Sequence, residues 1–292
     1  MTDPSVSFPD PAGSRVGTRN ALVEALGRNW RSATILAVAV LAAIGWGYLI
    51  LAVAGGGRAI DAGFGMRALA PLIDAIAMRF PALAIGEHGA LMPAPVAWGV
   101  WDVALVFAMW AAMVFAMMLP TAAPTFLAYS RAVRGGAVWV MAGYTAVWLG
   151  IAVLATAVQA GMTAAGALSP HMAPAGIALS ASILVAAGIY QFTPLKAACL
   201  VRCRNPHAAD TVDEGPFTAL RIGVEEGLAC LGCCWALMAV MFAAGLMNLV
   251  AMAFFGALMG WEKLASGFFL TRIIGVLLLV AGLALATGPF IG

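Results

Sequence analysis

Three cysteines fall within five positions of one segment: Cys230, Cys233 and Cys234. On a helix, positions i, i+3 and i+4 share a face. That face continues to Met238 and Met241, so Cys230, Cys234, Met238 and Met241 form a ladder of sulfurs with Cys233 beside it. Thiolates and thioethers are soft ligands that favour Cu(I), and thiolates also suit Zn. A free cysteine is equally a small hydrophobe buried for packing, and that plain reading serves for any one of the three. Three in five positions point instead to metal or redox chemistry. Neighbouring side chains on a helix are expected to diverge, which disfavours a relaxed disulfide between Cys233 and Cys234.

A second pair, Cys199 and Cys203, lies four residues apart, after Pro194 and among Lys196, Arg202 and Arg204. Positive potential favours thiolate over thiol. The plain alternative is a basic anchoring loop with two incidental cysteines. Met109, Met113 and Met117 recur at i, i+4 and i+8, with Met118 beside the last. Such a stripe is ordinarily a packing surface; facing the ladder from Cys230, it would make a relay for Cu(I). The three histidines, His88, His171 and His207, lie in loops, and His88 and His171 stand near Met92 and Met172. They make the weakest constellation, because a loop imidazole is commonly just solvated. Gln159, Gln191, Asn248, Asp102, Glu225 and Glu226 are polar groups in or beside apolar runs, where polarity is costly and tends to be functional. Glu226 stands four residues before Cys230, so its carboxylate can join the thiol site. The plain alternative places Glu225 and Glu226 at a helix N-terminus, where negative charge is favourable.

The elements that must carry these residues follow from composition. Of 292 residues, 63% are hydrophobic and 10% charged, and the mean hydropathy is +0.99. Soluble domains hold about 45–50% apolar and about 25% charged residues. The difference excludes an ordinary soluble enzyme, a disordered chain and a nucleic-acid binder. Continuous apolar runs of about 20 residues predict transmembrane helices rather than the alternating strands of a barrel. The predicted fold is all-α, a polytopic transmembrane bundle of seven spans, or six if two of them are one long tilted helix. The spans are 32–54, 98–119, 137–160, 174–192, two halves of 218–260 split near 245–248, and 267–288. Pro120 and Pro124 are expected to stop the second span, and Pro194 the fourth.

Of the 15 Lys and Arg, all but Arg58, Arg67 and Arg79 fall on one side of this arrangement. The positive-inside rule then places the N-terminus in the cytoplasm. Residues 1–29, rich in Pro, Gly and Ser, are expected to be a mobile tail rather than a cleavable signal peptide. Residues 30–292 form one transmembrane domain with an outer loop 55–97 and an inner loop 195–217. Within the outer loop, 66–80 has the spacing of an interfacial amphipathic helix.

Several stretches resemble one family. WAAMVFAMMLPTAAP at 110–124 is similar to its W-x-x-M-x-x-A-M-M-x-P signature, and GIYQFTPLKAACLVRCRNP at 188–206 and CLGCCWALM at 230–238 match its cysteine blocks. GLMN at 245–248 and the pair Glu262, Lys263 also match. The family is a bacterial group of predicted metal-binding integral membrane proteins, also labelled copper chaperones. The resemblance covers about 98–263. It implies a metal site at Cys199, Cys203, Cys230, Cys233 and Cys234, with Met113, Met117, Met118 and Met238 as soft partners.

The leading expectation is a bacterial inner-membrane protein that handles Cu(I), with Zn as the alternative metal. Its partners are the lipid bilayer and a protein that donates or accepts the metal. No P-loop is visible, which disfavours ATP-driven pumping. A membrane thiol-disulfide oxidoreductase coupled to quinone is the rival, and a structural assembly factor is the third reading.

Overall fold

The computed structural model describes residues 11–56, 65–84, 89–93, 98–132, 136–168, 176–206 and 215–288. It is a helical bundle, and ten α-helices run through the described residues. They are α1 (Pro11–Gly55), α2 (Met66–Arg79), α3 (Val100–Met113), α4 (Leu119–Ala132), α5 (Gly136–Ala164), α6 (Ile177–Tyr190), α7 (Pro194–Arg204), α8 (Pro216–Ala244), α9 (Leu249–Leu264) and α10 (Phe269–Thr287). A π-helical turn, Val114–Met118, joins α3 to α4. The segment expected as an N-terminal tail overlaps α1, which begins at Pro11.

Five helical stretches among the described residues are long and apolar enough to cross a membrane: Trp30–Gly55, Val100–Ser130, Gly136–Ala164, Pro216–Ala244 and Phe269–Thr287. α6 and α7, bent by 66° from each other, make a sixth if counted as one span. The seventh expected span is corrected by length. α9 has 16 residues, about 24 Å at 1.5 Å per residue, short of the roughly 20 residues a hydrocarbon core requires. The break before it falls where the sequence places it. Gly245 has φ +92°, a left-handed value that favours glycine, and the Asn248 side chain caps α9 by accepting from the Ala251 N–H at 2.9 Å.

Two further expectations change. The second span does not stop at Pro120 or Pro124 but continues to Ala132. Pro120 has no N–H for the Ala116 carbonyl one turn earlier. Trp46 of α1 supplies the donor instead, its Nε1–H reaching that carbonyl at 3.2 Å. Widening to a π turn just before the proline accommodates the ring without ending the helix. The inner loop expected at 195–217 opens as helix α7. Thr193 caps α7 by accepting from the Lys196 N–H, and Pro194 occupies the first turn. The amphipathic segment is helical as α2, which buries Met66, Ala70 and Ile73 against the bundle.

Helix directions follow from close contacts. α5 and α8 run parallel: Gly143 meets Leu220 and Val224, and Gly227 meets Tyr144 and Val147. A methyl on Gly143 would strike the Leu220 carbonyl, and one on Gly223 the Val140 carbonyl, so small residues set this approach. α3 and α4 run antiparallel to α5, because Trp110 donates to Gln159 at 2.8 Å and Tyr144 to the Met118 carbonyl at 3.2 Å. α6 and α10 are antiparallel, with Gly188 at Leu279 and Gly282 at Val185. α5, α6, α7 and α9 pack directly on α8, whose midpoint carries the cysteines.

Candidate metal centre

α8 begins at Pro216, so Cys230, Cys233 and Cys234 lie near its middle with 1% exposure each. Their sulfurs all lie within 4.8 Å of one another. Cys233 Sγ is 3.2 Å from Cys234 Sγ, and all five cysteines are free thiols. The expectation that the neighbouring side chains diverge is therefore corrected for the sulfur atoms: rotation about the side-chain bonds brings them together although the Cα–Cβ bonds point apart. Cys203 Sγ reaches in from α7 to 3.5 Å from Cys233 Sγ. Cys199, one turn earlier on α7, packs its sulfur against Gly232 and stands outside the three-cysteine grouping.

The methionine stripe lies inside the bundle, as the packing reading has it. Met109, Met113, Met117, Met118, Met238 and Met241 are all buried in one core. Two anchors align their helices. Trp110 packs against Phe242 with ring centroids 5.4 Å apart and planes tilted by 38°, and Tyr144 bridges the Met118 carbonyl and Cys230. Met113 and Met117 of the second span and Met238 and Met241 of α8 therefore occupy the same length of the bundle.

Residues outside the predicted set complete the surroundings. Tyr144 OH lies 2.9 Å from Cys230 Sγ. Lys263 of α9 donates to Cys230 Sγ at 3.1 Å and to Thr121 Oγ1 at 2.8 Å. An ammonium at that distance is the electrostatic complement of a thiolate. Lys196, fully buried at 0% exposure, pairs with Glu262 Oε2 at 2.8 Å and donates to the Cys233 carbonyl. Arg204 donates twice to the Glu262 carbonyl, at 2.7 and 3.1 Å. Tyr190 donates to the Gly232 carbonyl at 2.6 Å. These contacts tie α6, α7 and α9 to the cysteine turn of α8. The sequence signal for Lys263 and Glu262 was the matching pair itself; Tyr144 carried no signal, because a buried tyrosine in an apolar helix is unremarkable.

The polar groups singled out in apolar runs divide. Gln159, Asn248 and Asp102 are structural: the first accepts from Trp110, the second caps α9, and the third accepts from the Gly99 N–H at 2.8 Å. Glu226 is different. Ten residues past the start of α8, it lies beyond the reach of the helix N-terminus. It is 3% exposed and meets Arg202 Nε of α7 at 3.4 Å, while Arg202 also meets Glu225 at 3.6 Å. Glu226 lines a small cavity of about 10 Å³ together with Thr121, Thr125, Tyr144, Cys203, Cys230 and Lys263. That is room for roughly one water molecule. His88, His171, Met172 and His207 lie outside the described residues.

The donor set fits a soft ion. Sulfurs spaced at 3.2 to 4.8 Å can converge on an ion about 2.3 Å from each with small side-chain rotations. Two helices contribute, so the site depends on the folded bundle.

The family model described as PpoB2: Copper chaperone matches residues 107–285, more than half of the 292-residue chain. The match runs from within α3 to the last turn of α10 and contains every sulfur of the centre. No curated protein and no solved structure matches the chain.

Proposed function

The chain belongs to that copper chaperone family, and from this premise we propose that it is a bacterial inner-membrane protein that binds Cu(I) and passes it on. The observation that carries the reading is the sulfur nest of Cys230, Cys233 and Cys234, joined by Cys203 from a second helix. Soft sulfur donors in an apolar, water-poor surround suit a monovalent soft cation. The buried Met113, Met117, Met118 and Met238 extend the soft surface along the bundle. The five long apolar stretches support a bilayer location. The surplus of basic residues at the cysteine end supports a cytoplasmic face for the nest and for the N-terminus. A metal-donor and a metal-acceptor protein are the partners that such a role requires.

Burial of the three α8 cysteines weighs against thiol-disulfide exchange, which requires a partner sulfur to reach them in line.

Elemental analysis of reduced, detergent-purified protein tests the reading. We expect bound copper that is lost in Cys230→Ser and Cys233→Ser variants of unchanged helicity. Zinc held in its place by four thiolates would overturn the cargo. A dithiol titration coupled to quinone, with no stoichiometric metal, would overturn the class.

A further inference from the structure

The three α8 sulfurs lie close together and Cys203 adjoins Cys233, yet the four are not equally accessible. Cys230, Cys233 and Cys234 are 1% exposed, whereas Cys203 is half-buried. Cys203 is also the α7 thiol that lines the cavity, and its sulfur lies 3.5 Å from that of Cys233. Arg202 and Arg204 flank it in sequence, and both are half-buried and hydrogen-bonded to carboxylate or carbonyl oxygens of α8 and α9. That charged rim marks its side of the nest as the polar side. Cys199, the other half-buried thiol, lies against Gly232 and is absent from the cavity wall.

We propose that Cys203 is the hand-over ligand through which Cu(I) enters and leaves the nest, by way of the cavity that it shares with Glu226 and Cys230. This rests on the copper-handling reading above. A cavity of about 10 Å³ admits an atom-sized species and not a ligand-wrapped one. The ion is therefore stripped of its carrier at Cys203 and passed sulfur to sulfur. The step is ligand exchange: a copper–sulfur bond to the carrier breaks as one to Cys203 forms, and the Cys203 thiol proton passes to the leaving carrier sulfur; then the Cys203 bond yields to Cys233 or Cys230, whose thiol proton passes to the Cys203 sulfur. Copper stays Cu(I) and each sulfur keeps its electron pair. Glu226, held by Arg202 at 3.4 Å, adds negative charge along the path of the cation without joining the final sulfur set. Cys203 and Glu226 act on the rate of exchange, and the α8 cysteines on the depth of the well.

Two measurements on the full-length protein in detergent test this. Site-resolved alkylation of the metal-free protein should modify Cys203 before Cys230, Cys233 or Cys234. Transfer of Cu(I) to a chromophoric copper(I) chelator should slow by about tenfold or more in Cys203→Ser, a larger factor than the loss in its equilibrium affinity, whereas Cys234→Ser should lose affinity by a larger factor than rate; a tenfold change corresponds to about 1.4 kcal/mol. Glu226→Gln, which keeps the side-chain shape, should slow transfer several-fold at unchanged affinity. Wild-type transfer rates in Cys203→Ser, or rate and affinity falling together, would overturn the proposal, as would earlier alkylation of an α8 cysteine. If wild-type protein takes up no copper, the functional reading fails instead, and the alkylation order still reports access to the nest.

Discussion

Lys263 holds its ammonium 3.1 Å from the sulfur of Cys230, although the two residues belong to different helices. The same nitrogen donates to Thr121, and the neighbouring Glu262 turns to Lys196 on α7. One turn of α9 thus supplies both a cation for the sulfur nest and an anion for the helix that carries Cys203.

Removing that cation should weaken the centre without emptying it of sulfur. Lys263→Met keeps the length of the side chain and deletes the charge. Groups that support ligands from outside the coordination sphere are worth about 10–100-fold in metal affinity, and we expect a loss of that order in chelator competition, with Lys263→Arg recovering part of it. Wild-type affinity in the Met variant would rule out the role.

The Lys196–Glu262 pair is buried at 0% and 1% exposure. Breaking one side of such a pair costs about 3–5 kcal/mol, while replacing both partners by apolar residues is often neutral. Lys196→Met should lower thermal stability in detergent sharply, and Lys196→Met with Glu262→Leu should recover most of it. A double variant no more stable than the single would show that the pair contributes more than mutual neutralisation.

The π turn gives a third test. Trp46→Phe leaves the Ala116 carbonyl without the indole donor, and an unmet buried acceptor costs about 1–3 kcal/mol. Pro120→Ala restores a backbone N–H one turn along. The two changes together should cost less than their sum in a double-mutant cycle. Simple additivity would mean that the proline and the indole are unrelated.

Contact between α5 and α8 rests on glycines. Gly223→Ala or Gly143→Ala forces a methyl onto a carbonyl of the facing helix. Either should part Tyr144 from Cys230 and reduce both melting temperature and copper retention. Gly150→Ala and Gly161→Ala, which open onto free space, should leave both unchanged. Equal effects at all four positions would sink the packing argument.

Cys199→Ser should retain the copper stoichiometry of the parent, because its sulfur faces Gly232 rather than the nest. Cys230→Ser and Cys233→Ser should not. Loss of metal in all three would place Cys199 among the ligands.

The cysteine spacing made the nest legible, since i, i+3 and i+4 on any helix share a face. The break at Gly245 could be read from a glycine followed by a capping asparagine, and the helix at Met66–Arg79 from its amphipathic spacing. What escaped depends on distance in space. Lys196 and Lys263 counted among the basic residues of the cytoplasmic side, and nothing local reveals an anion or a sulfur facing them from another helix. Pro120 read as a stop because the Trp46 indole that meets the freed carbonyl lies far away in sequence. Tyr144 carried no pattern at all, and α7 was hidden because an 11-residue helix with mixed charge resembles a loop.

The turn at Gly245 and Asn248 has equal arms. Cys230 stands 15 positions before Gly245, and Lys263 stands 15 positions after Asn248. Two helices with the same rise per residue that lie side by side from one turn bring residues together at matching counts. The lysine thus finds the sulfur by arithmetic of length. One residue inserted anywhere in α9 would swing the amine about 100° around its axis and shift it along the bundle. The hairpin is therefore a measuring device, intolerant of insertion and deletion even where every side chain on it could be exchanged.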